Sequence, residues 1–265
     1  MVGEKEQRCL DTVIKSLNSE GSLKKYFGLL KEDIDEINNI LKNTKNNEKL
    51  SEFPDFIFEN GFIEHFQITS SKTNKHGAKQ LEEVSLFKNK VEKETKRFKE
   101  ECNDNLDCNK IRSKHWAMKY PKHSYKYLCN SFKKNWENHI ESLNRYTGNK
   151  DIGIFMLEYK DQALEMYENV YADWIDGMTT GDFKEPEIVK TYRLTRDKKL
   201  LKYIYSFKEY IKYVIFVYGK ECEIIKSESI PYLLKLMPWD YVIAPHMGTI
   251  LIASTHGVNI QDDLE

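Results

Sequence analysis

The sequence predicts an α/β fold, a central mixed β-sheet flanked by helices. Three observations predict it. Apolar residues recur at helical spacing in two N-terminal groups, Leu10, Val13, Ile14 and Leu17, then Tyr26, Phe27, Leu30, Ile34, Ile37 and Leu41. Alternating β-branched and aromatic residues flank Asn60-Gly61, a strong short-range hairpin signal. Short apolar runs, chief among them Asp151 to Tyr159, read as buried strands between helical segments.

Taken in order, residues 4–17 form an amphipathic helix that Asn18 to Gly21 ends. Ser22 caps a second helix running to about Lys45, with Glu32, Asp33, Asp35 and Glu36 on its solvated side. A polar run then leads into a hairpin over residues 54–70. A type I′ turn at Asn60-Gly61 pairs Ile57 with Glu64 and Asp55 with Phe66, which puts these four side chains on one face. Residues 79–103 read as a long charged helix anchored by Leu81, Val84, Phe87 and Val91. Pro121 opens a further helix toward Tyr146. The acidic stretch 161–185 is part helix and part loop, and residues 197–209 form another helix. Strands follow at 212–218, 222–226, 240–244 and 249–254, with a short helix at 230–237 and turns at Gly219-Lys220 and His246-Met247-Gly248. No repeat, low-complexity segment or flexible linker interrupts residues 1–265, so one domain is expected.

The net charge is −1, so any nucleic-acid contact must come from uneven placement of charge. Such a place exists between Asn109 and Asn135, where there are eight Lys or Arg and no acid. Lys114, Lys119, Lys122, Lys126, Lys133 and Lys134 are candidates for phosphate contacts, and Trp116, Tyr120, Tyr125, Tyr127 and Phe132 could stack on unpaired bases. The alternative is a basic helix whose aromatics face the core. Arg193, Arg196, Lys198, Lys199 and Lys202 make a second basic cluster. The five cysteines lack a zinc-finger or redox spacing and read as reduced thiols. No signal peptide or membrane-length apolar run is visible, so a cytoplasmic protein is expected. No phosphate loop or dinucleotide fingerprint occurs.

Two carboxylates on neighbouring strands, Asp55 and Glu64, suit a divalent metal. The order of helix, hairpin bearing those acids, charged helix and apolar strand, over about residues 22–160, resembles the restriction-endonuclease-like phosphodiesterases. Their signature is Pro-Asp, a gap, then an acid, any residue and Lys; here it aligns with Pro54-Asp55 and Glu64-His65-Phe66. The resemblance implies a nuclease-like core, with residues after about 186 completing the sheet or reading a target. It implies that Asp55 and Glu64 hold Mg2+ or Mn2+, and that the function is DNA cleavage, as an endonuclease in restriction or defence. A homodimer is a family expectation. Phe66 stands where the lysine belongs, so Lys72 or Gln67 must replace it. Otherwise the chain is a binding module that docks nucleic acid or protein without cutting.

Overall fold

The computed structural model describes residues 3–19, 25–47, 52–74, 77–103, 111–119, 123–168, 188–189, 191–237, 240–245 and 250–258. In chain order the elements begin with α1 (Glu4–Leu17), β1 (Tyr26–Phe27), α2 (Lys31–Asn43), β2 (Lys45–Asn46), β3 (Phe56–Phe58) and β4 (Gly61–Ile68). Next come β5 (Thr73–Asn74), β6 (Gly77–Ala78), α3 (Lys79–Asn103), β7 (Ile111–Lys119), α4 (Tyr125–Arg145), β8 (Ile152–Tyr159) and β9 (Leu164–Glu168). The last are β10 (Ile188–Val189), α5 (Lys198–Tyr205), β11 (Tyr213–Tyr218), β12 (Glu221–Lys226), α6 (Ile230–Lys235), β13 (Tyr241–Pro245) and β14 (Ile250–Val258). They fall into two compact units, Met1–Ser70 with Ser124–His246, and Ser71–His123 with Met247–Glu265.

The first unit is built on a seven-stranded mixed sheet in the order β1-β12-β11-β8-β4-β3-β2. Its middle strands β4, β8 and β11 run parallel and are almost wholly buried, as strands covered on both faces must be. Alternation of side chains splits them between two cores. On one face, Ile63, Ile154, Met156 and Ile215 pack with Cys9, Leu10 and Val13 of α1 and Ile37, Ile40 and Leu41 of α2. On the other, Phe62, Phe66, Phe155 and Leu157 pack with Leu128, Phe132 and Trp136 of α4 and Leu200, Leu201 and Ile204 of α5. Strands β9, β10 and β13 form a separate three-stranded sheet of this unit.

In the second unit, β7 and β14 pair antiparallel from Ile111↔Val258 to Lys119↔Ile250, and α3 packs beside them. Among the described residues no helix is long and apolar enough to cross a membrane.

Several local expectations change. The helix expected from Ser22 starts at Lys31 instead, because Tyr26 and Phe27 pair parallel with Ile224 and Ile225 and Gly28 turns the chain at φ +75°. Ser22 and Leu23 lie outside the described residues. The hairpin turns at Glu59-Asn60 rather than Asn60-Gly61, with Phe58 opposite Gly61 and Phe56 opposite Ile63. Neither Asn60 nor Gly61 is among the residues at positive φ, so the turn is not type I′. Gly61 serves a close approach instead, since a Cβ there would lie 2.0 Å from the Ile152 carbonyl oxygen. The basic window is two elements, strand β7 and helix α4, and α4 is capped by Ser124, which accepts from the Tyr127 amide. Pro121 and Lys122, like the His246–Gly248 turn, lie outside the described residues. In the acidic stretch, residues 164–168 are strand rather than helix, because they pair with β10 and β13; residues 169–187 lie outside the described ones.

Candidate metal centre

The hairpin register carries Asp55 to a position opposite Glu64, and the two acids interlock. The Asp55 amide donates to Glu64 Oε2 at 3.0 Å, and the His65 amide donates to Asp55 Oδ2 at 2.7 Å. Burial, reinforced by the charge of Glu64, pushes the Asp55 carboxyl from its ordinary 3.8 up to about 7. The second Glu64 oxygen lies 2.6 Å from Nδ1 of His139. His139 comes from α4, where it stands in the stripe made by Leu128, Phe132, Trp136 and Leu143, and its ring stacks on Phe66 at 4.6 Å between centroids. The pair expected to hold a metal is therefore assembled, and both Glu64 oxygens and one of Asp55 are already engaged by protein donors.

Successive side chains of a strand face opposite ways, so His65 and Gln67 point to the other face of the sheet. There Gln67 is the register partner of Glu158 on β8 and donates to its Oε2 at 2.8 Å. Lys160 Nζ lies 3.5 Å from the other oxygen of Glu158. His65 Nε2 lies 3.4 Å from Glu158 Oε2, an ion-pair contact that falls short of hydrogen-bond geometry. Burial raises the Glu158 carboxyl, yet His65, Lys160 and Gln67 together outweigh it and hold the group below its usual range.

Cys9 of α1 completes this cluster. Its Sγ, a His65 ring nitrogen and a Glu158 oxygen all lie within 4.8 Å of one another, and this is the one such group of three found among the described residues. The Cys9–His65–Glu158 cluster can hold a metal ion. The Cys9 thiol is pushed well above its usual value by burial, then by the charge of Glu158. One turn earlier on the same side of α1, Glu6 holds a buried Oε2 with no hydrogen-bond partner.

The other expected site residues scatter. Lys72 is exposed and belongs to the second unit. Lys114, in that unit too, is paired with Glu94 at 3.5 Å and lies 5.7 Å from the Trp116 ring centroid. On α4, Lys126 and Lys134 are exposed, while Lys133 lies over the Tyr203 ring at 4.7 Å. Phe132 is fully buried, as the core reading of these aromatics requires. The Lys119 side chain is not among the described ones. In the C-terminal basic cluster, Arg196, Lys198, Lys199 and Lys202 line a cleft of about 570 Å³ together with Tyr125 and Tyr241; Lys198 is paired there with Asp240 at 2.8 Å.

Several residues on the two faces of β4 carried signals in the sequence. Glu158-Tyr159-Lys160 is itself an acid, any residue and Lys, set at the end of the apolar run. Glu6 and Cys9 sit in the apolar stripe of α1, where a charged group is out of place unless something answers it. His139 interrupts the stripe of α4 in the same way. No family model matches this chain, and no curated protein and no solved structure does either.

Proposed function

We propose that the chain is a metal-dependent phosphodiesterase acting on nucleic acid, with its reaction centre on the face of β4 and β8 that carries His65, Gln67, Glu158 and Lys160. One observation carries this reading. Glu158 and Lys160 supply an acid paired with a lysine, which the hairpin lacks because Phe66 fills the lysine position there. They stand at the carboxyl ends of parallel strands, where open α/β sheets place their ligands. The preceding helix, hairpin and following strand keep the order on which the resemblance to restriction-endonuclease-like enzymes rests.

The donor set fits a divalent cation. His65 Nε2 is buried without a hydrogen bond, and Glu158 is held below the usual carboxylate range and so is ionised at neutral pH. A bound cation would lower the pKa of a water and offset charge on the phosphate. The chain's own groups do the rest. Gln67 fixes the rotamer of Glu158 by holding Oε2. Lys160 keeps an ammonium beside Oε1, where it can donate to a phosphate oxygen or to the attacking water. Lys126 and Lys134 are exposed cations available to the nucleic-acid backbone.

The test is cleavage of plasmid, linear DNA and RNA by purified protein, with Mg2+, Mn2+, Zn2+ or chelator. Metal-dependent cleavage is expected, reduced on the order of 100-fold or more in Lys160→Ala and Glu158→Gln. Full activity in both variants would sink the assignment. Binding without cleavage of any nucleic acid would leave the docking module, which Phe66 favours for the hairpin face.

A further inference from the structure

We infer that Cys9, His65 and Glu158 form a site for a zinc-class transition cation, bound through Sγ, Nε2 and a carboxylate oxygen, rather than a site for magnesium. The inference narrows the cation of the hydrolase reading; it rests on that reading for the cation's role, not for its binding.

The donors decide the class. Magnesium takes oxygen ligands in a strict octahedron and keeps several waters. A thiolate, an imidazole and one carboxylate instead suit zinc or cobalt, which accept sulfur, nitrogen and oxygen in a tetrahedron. Bonds of about 2.0–2.3 Å put tetrahedral donors roughly 3.3–3.8 Å apart. The His65 Nε2 to Glu158 Oε2 separation is already 3.4 Å, and all three donors lie within 4.8 Å. Closing the set therefore needs a side-chain adjustment, not a backbone rearrangement.

Burial and imperfect pairing point to the same place. Cys9 is 3% exposed and His65 7%, so neither gains much from water. A buried polar nitrogen is almost always well hydrogen-bonded, yet Nε2 of His65 has only a 3.4 Å ion-pair contact to Glu158 Oε2 that falls short of hydrogen-bond geometry, and the His65 ring offers a donor within 4.8 Å of the other two. Glu158 is oriented by Gln67 and Lys160, the outer contacts that a ligating carboxylate needs. The ligands come from α1, β4 and β8, so a cation there would tie the first helix to the middle of the sheet. On binding, the Cys9 S–H proton passes to bulk water as the sulfur–metal bond forms.

The experiment strips the full chain with chelator and titrates it with Zn2+, Co2+ and Mg2+. Roughly one equivalent of zinc should bind per chain and raise the melting temperature, and excess magnesium should not displace it. Cobalt should give a thiolate-to-metal charge-transfer band in the near ultraviolet. Cys9→Ser should lose that band, and His65→Gln should weaken zinc binding on the order of 100-fold or more. If either variant fails to fold, the wild-type cobalt spectrum still decides. No charge-transfer band, or zinc uptake equal in wild type and folded Cys9→Ser, overturns the inference. Zinc bound through Cys9 without cleavage of any nucleic acid supports it and ends the hydrolase reading. Magnesium-driven cleavage by a chain that takes no zinc overturns it and leaves the hydrolase reading standing.

Discussion

Glu64 and His65 are consecutive, yet the two faces of β4 treat their polar groups differently. On the α4 face, Glu64 is buried with donors at both oxygens, one from the Asp55 amide and one from His139. That arrangement closes on itself and fastens the open end of the hairpin. On the α1 face, His65 is equally buried but its Nε2 has only a 3.4 Å contact short of hydrogen-bond geometry, and it lies between the Cys9 thiol and the lysine-paired carboxylate of Glu158. Burial alone does not distinguish a structural from a reactive group. Saturation does, because a buried donor or acceptor left unmatched costs about 1–3 kcal/mol that a ligand can recover.

Substitutions on the two faces of β4 should separate a structural clamp from a reactive site. Phe66→Ala should have the largest effect, a loss of about 3–5 kcal/mol in denaturant unfolding, since it opens a cavity under His139, Trp136 and Phe155. Phe66→Lys should not create activity, and cleavage by a folded Phe66→Lys protein lacking Lys160 would return the centre to the hairpin face. Next, Lys160→Ala should lose cleavage while its unfolding midpoint moves little, because the pair with Glu158 is partly exposed. Glu64→Ala should do the reverse, costing about 1–3 kcal/mol of stability by stranding the Asp55 amide. A Glu64→Ala protein as stable as wild type would refute the clamp.

A smaller effect concerns pH. Asp55 is harder to ionise in the folded chain than in the unfolded one, moving from 3.8 to about 7. Between those values the folded state binds more protons, so this group's contribution to stability falls as pH rises through the window and is fully present only below it. Asp55→Asn keeps an acceptor for the His65 amide and should flatten that slope, read as unfolding midpoints from about pH 4 to about pH 8. An unchanged slope would mean that burial of Asp55 is answered elsewhere. Smallest of all, Lys126→Glu with Lys134→Glu should leave stability within about 0.5 kcal/mol. It should also lower the salt dependence of DNA binding. An unaltered salt slope would place the nucleic-acid contact away from α4.

Much of the architecture was legible in the chain. The apolar periodicity of α1, the run of β8 and the strands β11 and β12 were readable because burial on a helix or strand face leaves a repeating pattern. The long helix α3 and the short α6 were readable for the same reason. Short pieces were not. Tyr26-Phe27 looked helical because two residues carry no period, and only their pairing with β12 makes them strand. Strand β7 was hidden inside a basic, aromatic window whose composition suits several structures. The turn moved by one residue because Gly61 was needed against Ile152 across the sheet.

The site divides along the same line. Local pattern was enough to put acids on both sides of the hairpin turn and to put Asp55 and Glu64 on one face, since alternation survives a shift of the turn by one residue. It also held Glu158 and Lys160 two residues apart. Packing, by contrast, laid β8 beside β4 in parallel, with Gln67 against Glu158, and brought Cys9 of α1 onto His65. Those contacts join residues about 90 and about 55 positions apart, and separations of that order are set by which buried faces match, not by any local pattern.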